Sequence, residues 1–166
     1  MTVPPKASMP DYGFRPVAES DLPMLAEWLR DPRVARWWQG SDRQITLLRA
    51  DLEQGVMQQV IATRGDLPLG YAQYYPAQHW PAPHFAHLPA DTIALDVFGA
   101  PQGWGQGGAW LHALCDRLLQ KASTLAIDPA PDNLRAIRAY QKAGFSGDLT
   151  AADADGHPVR VMTRRR

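Results

Sequence analysis

The segment 92–128 constrains the fold more than any other part of the chain, because it joins two apolar strands through a glycine-rich turn and a helix. The first strand is "DTIALDVFG" and the turn is "PQGWGQGG". In the next stretch, "AWLHALCDRLLQKA", apolar side chains recur at helical spacing at Trp110, Leu111, Leu114 and Leu118, and "STLAID" then predicts a strand. A strand–helix–strand connection makes a parallel pair. The segment therefore predicts a mixed α/β layered domain.

The segments on either side predict antiparallel strands and further helices. "YGFRPV" predicts a first strand, and Ser20 is placed to cap a helix in "DLPMLAEWL". Two more helices are predicted in "DPRVARWW" and in "SDRQITLLRADLEQG", the latter opened by Ser41 or Asp42 and closed near Gly55. One hairpin is predicted from "QQVIATR" and "PLGYAQYY", and another from "FSGDLTAAD" and "HPVRVMTR". Residues 76–90 contain four prolines and predict a long irregular loop.

Length and charge bound the number of domains and the kind of partner. The 166 residues predict a single domain over 1–166, with a flexible N-terminus at 1–10. The 17 lysines and arginines balance 17 aspartates and glutamates, so no nucleic-acid partner is expected. No stretch approaches the roughly 20 apolar residues of a membrane span, and the start lacks the apolar run of a signal peptide. We therefore expect a cytoplasmic protein without a membrane partner. The single cysteine, Cys115, is expected to pack on an apolar helix face.

A short helix in "DPAPDNLRAIRAYQKAGF" carries polar groups on its inward side. At roughly 100° per residue, one arc of the helix collects Asn133, Ala136, Ile137 and Tyr140. The opposite arc is basic and is expected to face water; it holds Arg135, Arg138 and Lys142. An inward phenol and amide need hydrogen-bond partners. Tyr140 is therefore either a satisfied core residue or a functional one.

The glycine turn has three interpretations. Because a helix N-terminus presents unpaired N–H groups and a partial positive charge, "QGWGQGG" is suited to hold a phosphate. Gly103, Gly105 and Gly108 also fit the G-x-G-x-x-G dinucleotide fingerprint, with Asp128 about 20 residues further on. That fold needs several consecutive strand–helix–strand units, and here a hairpin precedes the turn. A glycine turn with no ligand is the third alternative.

Two motifs resemble those of the GNAT superfamily of acyl-CoA-dependent N-acyltransferases. Gln102, Gly105 and Gly107 match its Q/R-x-x-G-x-G/A signature, and "NLRAIRAYQKAGF" is similar to its second motif, N-x-x-A-x-x-x-Y-x-x-x-G-F. Over residues 12–164 the chain looks most like aminoglycoside 6′-N-acetyltransferases. The resemblance implies a mixed, largely antiparallel sheet flanked by helices, with splayed central strands. It also implies that acetyl-CoA enters between the strands near 92–98 and 123–128.

The resemblance also implies a set of residues around acetyl-CoA. They are Val97, Phe98, Gln102, Gly103, Gly105, Gln106, Gly107, Gly108 and Asn133. Trp104 stands where many members of the family have a basic residue, so the charge on the pyrophosphate is expected to be met elsewhere or not at all. No metal is expected, since His79, His84 and His87 lack metal-ligand spacing.

Two residues are predicted to transfer protons. The motif implies that Tyr140 is the general acid at the departing sulfur. Asp96 is predicted as the base, because it interrupts the apolar strand "IALDVF" and a buried carboxylate is costly unless it is paired or functional. The alternative for Asp96 is an inward side chain paired with an arginine or capping a loop.

A polycationic sugar needs carboxylates for its ammonium groups and aromatic surface for its rings. The predicted acceptor residues are Trp37, Trp38, Tyr71, Tyr74, Asp96, Asp128 and Asp155. The predicted reaction is direct attack of a 6′-amine of an aminoglycoside on acetyl-CoA. The alternatives are a GNAT enzyme acting on another amine, of the siderophore hydroxylysine type or on a protein, and a non-catalytic binding module. Either a monomer or a homodimer is compatible with the sequence.

Overall fold

The computed structural model describes residues 11–166, and the predicted flexible terminus at 1–10 lies outside this range. Over the described residues, seven strands form one sheet in the order β1-β2-β3-β4-β5-β7-β6. The strands are β1 (Tyr12–Pro16), β2 (Gln58–Arg64), β3 (Leu67–Pro76), β4 (Ile93–Gly99), β5 (Thr124–Ile127), β6 (Ser146–Ala152) and β7 (Pro158–Arg165). All neighbours are antiparallel except β4 and β5. The predicted mixed, largely antiparallel sheet is confirmed.

Helices cover both faces of this sheet. They are α1 (Leu22–Arg30), α2 (Pro32–Ala35), α3 (Ser41–Gln54), α4 (Gly107–Leu118) and α5 (Leu134–Lys142). On one face, Trp110 and Leu114 of α4 and Tyr140 of α5 pack in a core with Leu95 of β4. On the other face, α1 and α3 pack in a second core that includes the ring of Tyr71. Cys115 is completely buried in the first core, as predicted.

Helix α1 begins at Leu22, one residue later than predicted. A short 3₁₀ turn over Glu19–Asp21 precedes it, and Ser20 makes no capping hydrogen bond. Asp21 organises this corner instead, since its carboxylate accepts a hydrogen bond from the N–H of Ala18 and pairs with Arg15 at 2.8 Å. Helix α3 ends as predicted at Gly55, which takes a φ of 75° in the left-handed region that glycine favours.

The parallel pair of strands separates after a short contact. Only Ile93 with Leu125 and Ala94 with Ala126 are paired between β4 and β5. Beyond these residues the two strands diverge, and Asp96 and Asp128 each lie two positions further along. Because side chains alternate along a strand, both carboxylates point to the same side of the sheet as Ala94 and Ala126. The divergence opens a cleft next to two acidic residues.

The glycine turn is docked directly on strand β3. The N–H of Ala100 donates to the carbonyl of Leu69 at 2.9 Å. At Gly103 the backbones are so close that a Cβ would lie 2.0 Å from the same carbonyl oxygen. This contact fixes the turn, and with it the start of α4, against the sheet. Within residues 11–166, none of the helices is long and apolar enough to cross a membrane.

Candidate active site

A cavity of about 460 Å³ lies between the glycine turn, α2 and α5. We call it the larger cavity; its wall is formed by the turn from Gly103 to Gly108, by Val97 and Phe98 of β4, and by residues of α2 and α5. Most of the predicted acetyl-CoA residues are in this wall: Val97, Phe98, Gly103, Gly105, Gly107, Gly108 and Asn133. The structure thus gathers them around one space.

Backbone geometry decides which parts of the turn can bind an anion. The N–H of Gly103 donates to the carbonyl of Ala100, and that of Gln106 donates to the carbonyl of Gly103. In the described chain, the N–H groups of Gly105, Gly107 and Gly108 have no backbone acceptor. A Cβ on Gly105 or Gly107 would meet nothing within 4 Å, so a ligand can approach this backbone closely. Free N–H groups at the start of a helix fit the pyrophosphate of CoA.

The structure does not support two of the predicted acetyl-CoA contacts. Gln102 is not in the wall of the cavity, because its Nε2 donates to the carbonyl of Pro68 at 2.7 Å and ties the turn to β3. Gln106 is also absent from the wall, and its N–H is used within the turn. Gln102 instead holds the glycine turn against β3 through this hydrogen bond.

Two arginines from different helices stack on the indole ring of Trp104. The guanidinium carbon of Arg33 in α2 lies 4.0 Å from the centre of the indole ring, and that of Arg135 in α5 lies 3.8 Å away. Both distances are within the range of cation–π contacts. Arg33 is also paired with Asp31 at 2.8 Å. The charge that a basic residue at position 104 would supply is therefore present in the wall of the larger cavity, delivered by residues that stack on Trp104.

The basic arc of α5 has a second role besides facing water. Arg135 and Arg138 are exposed, as the helical spacing predicts, yet together with Lys142 they form part of the wall of the larger cavity. Three cations beside a cavity favour a ligand with several negative charges.

A second, smaller cavity of about 310 Å³ contains both acidic residues of the cleft, Asp96 and Asp128. It shares five wall residues with the larger cavity: Trp37, Trp38, Val97, Asn133 and Tyr140. The two cavities therefore adjoin, with the phenol of Tyr140 at the boundary. Trp37 and Trp38, which follow α2, contribute to both walls, and their contact with an acceptor stays a prediction.

Asp96 is held by an amide from the neighbouring strand. Gln73 of β3 lies opposite Asp96 in the register, and its Nε2 donates to Asp96 Oδ2 at 2.9 Å. Burial raises the pKa of the Asp96 carboxyl and the charge of Asp128 raises it further, while Gln73 and His84 lower it, with a result of about 7. A carboxyl with that pKa can accept and release a proton near neutral pH.

Tyr71 supports this amide and is not an acceptor contact. Its side chain is completely buried, and its hydroxyl lies 2.8 Å from Gln73 Oε1 and 2.9 Å from Gln59 Oε1. Gln59 in turn donates to the carbonyl of Leu48 at 2.9 Å. The predicted contact between Tyr71 and a substrate is therefore wrong. Sequence reasoning missed Gln73, although a glutamine within the apolar strand "GYAQYY" is the same kind of signal as Asp96 in "IALDVF".

Two other predicted acceptor residues lie away from the cavity walls. Tyr74 is on the opposite side of β3 from Gln73, where it is partly buried against the core under α4 and α5, and its contact with a substrate stays a prediction. Asp155 lies in the exposed turn between β6 and β7. The N–H of Arg160, near the start of β7, donates to the carbonyl of Pro129 at 2.8 Å, so the strand that follows the turn lies beside a wall residue of the smaller cavity. A contact between Asp155 and substrate stays a prediction.

Asp155 also belongs to the one cluster in residues 11–166 with the spacing of a metal site. Its members are Asp153, Asp155 and His157, and all are at least partly exposed. Asp153 already accepts hydrogen bonds from the N–H groups of Asp155 and His157, which explains the grouping as turn structure.

Helix α5 brings Asn133 and Tyr140 to the cavities by different means. Asn133 is the N-cap, and its Oδ1 accepts a hydrogen bond from the N–H of Ala136 at 3.3 Å. Tyr140 is only 8% exposed, and its hydroxyl is the polar end of an otherwise packed ring. Burial, followed by the charges of Asp96 and Asp128, raises the pKa of this phenol well above its ordinary value. Tyr140 is therefore protonated at neutral pH and able to donate.

His84 is a further residue at the acid pair that sequence reasoning missed. It lies in the proline-rich loop, within a short 3₁₀ turn over Pro83–Phe85, and is buried. Its Nε2 is 2.8 Å from Asp128 Oδ2. The only sequence signal was a histidine next to an aromatic residue in a loop, which does not distinguish it from the other histidines there.

A diverging β4–β5 pair, a glycine turn at a helix N-terminus and a tyrosine at the boundary of two cavities define a class of acyltransferase. Residues 17–150 match the family described as "Acetyltransferase (GNAT) domain", and the chain belongs to this family. It is 31% identical over 168 residues to the aminoglycoside N(6′)-acetyltransferase type 1 of Klebsiella pneumoniae, covering 92% of this chain and 83% of that protein. The same identity and coverage hold for the protein of that name from Serratia marcescens.

Solved structures give the same relationship. The structure described as aminoglycoside acetyltransferase AAC(6′)-Ib in complex with coenzyme A and kanamycin matches with a TM-score of 0.78 and 32% identity, covering 94% of this chain and 95% of that chain. AAC(6′)-Ib in complex with paromomycin and acetyl-CoA matches with a TM-score of 0.77 and 32% identity, covering 93% of both chains. The predicted family and fold are confirmed.

Proposed function

We propose that this chain transfers the acetyl group of acetyl-CoA to the 6′-amine of an aminoglycoside, by direct attack in a ternary complex, and thereby confers resistance. The observation that carries the proposal is the junction of the two cavities. One cavity has free N–H groups and cations for an anionic co-substrate, the other has two carboxylates for a polycation, and Tyr140 lies between them. The named relatives support the choice of an aminoglycoside.

Acetyl-CoA is suited to the larger cavity and supplies the acetyl thioester. The free N–H groups of Gly105, Gly107 and Gly108 would hold its pyrophosphate, with Arg135 and Arg33 adding charge. Val97, at the diverging end of β4, would lie beside the pantetheine arm, since it lines both cavities.

Proton transfer is assigned to two residues, one that accepts a proton near neutral pH and one that keeps its proton until the sulfur departs. An aminoglycoside amine is mostly an ammonium ion at neutral pH, so a proton must leave before the nitrogen can attack. Asp96, with a pKa of about 7, accepts that proton. Tyr140, whose pKa is raised by burial, keeps its own proton and donates it to the sulfur as the carbon–sulfur bond breaks. After the new carbon–nitrogen bond forms, the nitrogen loses its second proton to solvent, the phenolate of Tyr140 regains a proton from solvent, and Asp96 releases the proton that it accepted.

The acceptor is proposed to bind by charge and by ring contacts. Asp128 offers a second carboxylate in the smaller cavity, and Trp37 and Trp38 offer aromatic surface along its wall. Asp155, on the turn near the rim, would reach a distal ammonium group. We further propose that the protein acts in the cytoplasm as a monomer or homodimer.

The first test is thiol release from acetyl-CoA with kanamycin, compared with paromomycin, which has a hydroxyl at the 6′ position. We expect release with kanamycin and none with paromomycin. Asp96→Asn should abolish most of the activity, whereas Asp66→Asn, an exposed change in the β2–β3 turn, should not alter it. Binding of acetyl-CoA without release by any aminoglycoside would refute the proposed acceptor and direct attention to other amines.

Resistance is tested separately in cells. Expression of the chain in a susceptible bacterium should raise the inhibitory concentration of kanamycin, and the Asp96→Asn variant at equal abundance should not. An unchanged inhibitory concentration with an enzyme active in vitro would show that the selected substrate is another amine.

A further inference from the structure

The proline-rich loop places one titratable ring against the acid pair. His84 is only 7% exposed, whereas the other two histidines of the loop, His79 and His87, are exposed. Its Nε2 lies 2.8 Å from Asp128 Oδ2, and its Nδ1 is buried without a hydrogen-bond partner. The only hydrogen-bond partner of the His84 ring among the described residues is therefore Asp128.

The packing of the loop fixes the position of His84. The neighbouring Phe85 is 1% exposed and packs in a small core with Ala94 and Ala126, the residues at which β4 and β5 are paired. The N–H of Ala77 donates to the carbonyl of Thr92 at 2.9 Å and closes the base of the loop. His84 is thus held where the two strands begin to diverge, on the side of the sheet that carries both carboxylates.

His84 also stands out among the groups that surround the acid pair. Asp96 is faced by Asp128 from the end of β5, by Gln73, Tyr71 and Tyr75 from β3, by Tyr140 from α5 and by His84 from the loop. Three of these are phenols whose pKa is raised by burial, so they stay neutral. Over residues 11–166, His84 is the only basic side chain within ion-pairing distance of Asp96 or Asp128.

We propose that protonated His84 is a positioning residue that holds Asp128 as an anion and thereby leaves Asp96 free to accept a proton from the substrate at neutral pH. The proposal rests on the proposed function, since it concerns the same acid pair. Either protonation state of the ring leaves Nδ1 without a partner, so that atom does not select between them.

The direction of the effect follows from the charges. A cation beside two carboxyl groups favours their ionised forms, and its removal lets the pair hold a proton more tightly. A larger fraction of Asp96 is then protonated at pH 7 and cannot act as the base. Activity should fall most at low pH and recover as the pH rises.

The experiment compares three variants by the pH dependence of kcat/KM for kanamycin. His84→Gln keeps an amide that can donate to Asp128 but carries no charge, His84→Ala removes both, and His87→Gln makes the same change at an exposed site of the same loop. Loss of the cation should move the acidic limb of both His84 profiles upward by about 0.5 to 1 pH unit, with a roughly 3- to 10-fold loss below the limb. His87→Gln should match the unmodified protein.

An unshifted limb in His84→Gln, with or without a uniform fall in rate, would overturn the proposal and leave His84 as a structural anchor of the loop. A second readout does not depend on turnover or on the identity of the acceptor. The ¹³C carboxyl resonances of Asp96 and Asp128, assigned with Asp96→Asn, should titrate at higher pH in His84→Gln than in the unmodified protein. Unchanged titration would refute the proposal even if the acceptor proves to be another amine, and a shift would support it in that case too.

Discussion

The proposed role of Asp96 as a base near neutral pH depends on opposing influences on one carboxyl group. Burial and the charge of Asp128 raise its pKa, whereas the amide of Gln73 and the ring of His84 lower it. Burial alone would leave a carboxylic acid with no capacity to take a proton, and full exposure would leave too weak a base. The residues that lower the pKa should therefore adjust the pH range in which Asp96 can accept a proton.

Gln73 provides the first prediction at this scale. Gln73→Leu removes the hydrogen bond to Asp96 Oδ2, which should raise the pKa of Asp96 and reduce activity at pH 7 several-fold, with partial recovery at higher pH. The measurement is kcat/KM against pH. Gln58→Leu, at an exposed position of β2, is the control and should have no effect. Equal losses at every pH would mean that Gln73 only supports the fold.

Tyr140 provides the second. Tyr140→Phe keeps the packed ring and removes the proton donor, so kcat should fall by about 10²-fold or more while binding of acetyl-CoA is nearly unchanged. The measurements are kcat and the dissociation constant of acetyl-CoA. Unaltered turnover would refute the role of general acid, because no other change in the site is made.

Residues with a local sequence signal lie where the sequence predicts. A carboxylate that interrupts an apolar strand indicates Asp96 and an inward helix face indicates Tyr140; both line the smaller cavity, and their roles in proton transfer stay predictions. Tyr71 was misjudged because alternation along β3 does not reveal that α1 and α3 cover that side of the sheet. His84 was missed because its partner is 44 residues away, and only the folded loop brings them together.

At the scale of elements, the wall of the larger cavity depends on three that are distant in sequence. Helix α2, the glycine turn and helix α5 meet where Arg33 and Arg135 stack on Trp104. The indole replaces a charged side chain at position 104 with a surface that holds two charges from elsewhere. Binding of the phosphates of CoA should therefore depend on the stacking of both guanidinium groups on Trp104 as well as on their charge.

Arg135→Ala should weaken the binding of acetyl-CoA by a factor of about 3 to 10, because a positive charge near the phosphates is lost. The same variant should use acetyl-pantetheine, which lacks the nucleotide and pyrophosphate, almost as well as the unmodified enzyme does. Trp104→Leu should behave similarly, since it frees both arginines. Arg36→Ala, which removes an arginine stacked on Trp37 and outside the cavity wall, is the matched control. A KM that rises equally for both donors would exclude a role in phosphate binding.

The sequence predicts which segments form strands and helices better than it predicts which strands pair with one another. The strands, the docked turn and α5 follow from spacing, glycine and capping residues, which act within a few residues. The closing hairpin was predicted, but nothing in its sequence indicates that β7 rather than β6 pairs with β5. That choice depends on burial of whole faces, since β7 is partly buried and β6 is mostly exposed.

For the whole molecule, the ionised base lowers stability. The folded pKa of Asp96 is about 7, above the ordinary carboxyl value of 3.8 that an unfolded chain would show. The folded state thus binds a proton between these values that the unfolded state has released, so stability falls as the pH rises from about 4 to 7. Above pH 7 the ionised carboxylate of Asp96 lowers the free energy of unfolding by about 2 kcal/mol. This figure allows for solvent screening at the open cleft.

Asp96→Asn should therefore stabilise the protein while it abolishes activity. The melting temperature of the variant should exceed that of the unmodified protein by several degrees at pH 8 and by much less at pH 5. Thermal unfolding followed by circular dichroism at both values is the measurement. A difference that does not depend on pH would show that the charge of Asp96 is not the cause.

The docking of the glycine turn on β3 has a consequence for how freely this sequence can vary. At Gly103 any side chain would collide with the carbonyl of Leu69, and at Gly105 a φ of 88° disfavours every residue with a Cβ. At Gly107 the space is open, so small side chains can be accepted there without damage to the fold. In a library of all substitutions at the four glycines of the turn, the variants that fold should be concentrated at Gly107, and their losses of function should report on co-substrate binding.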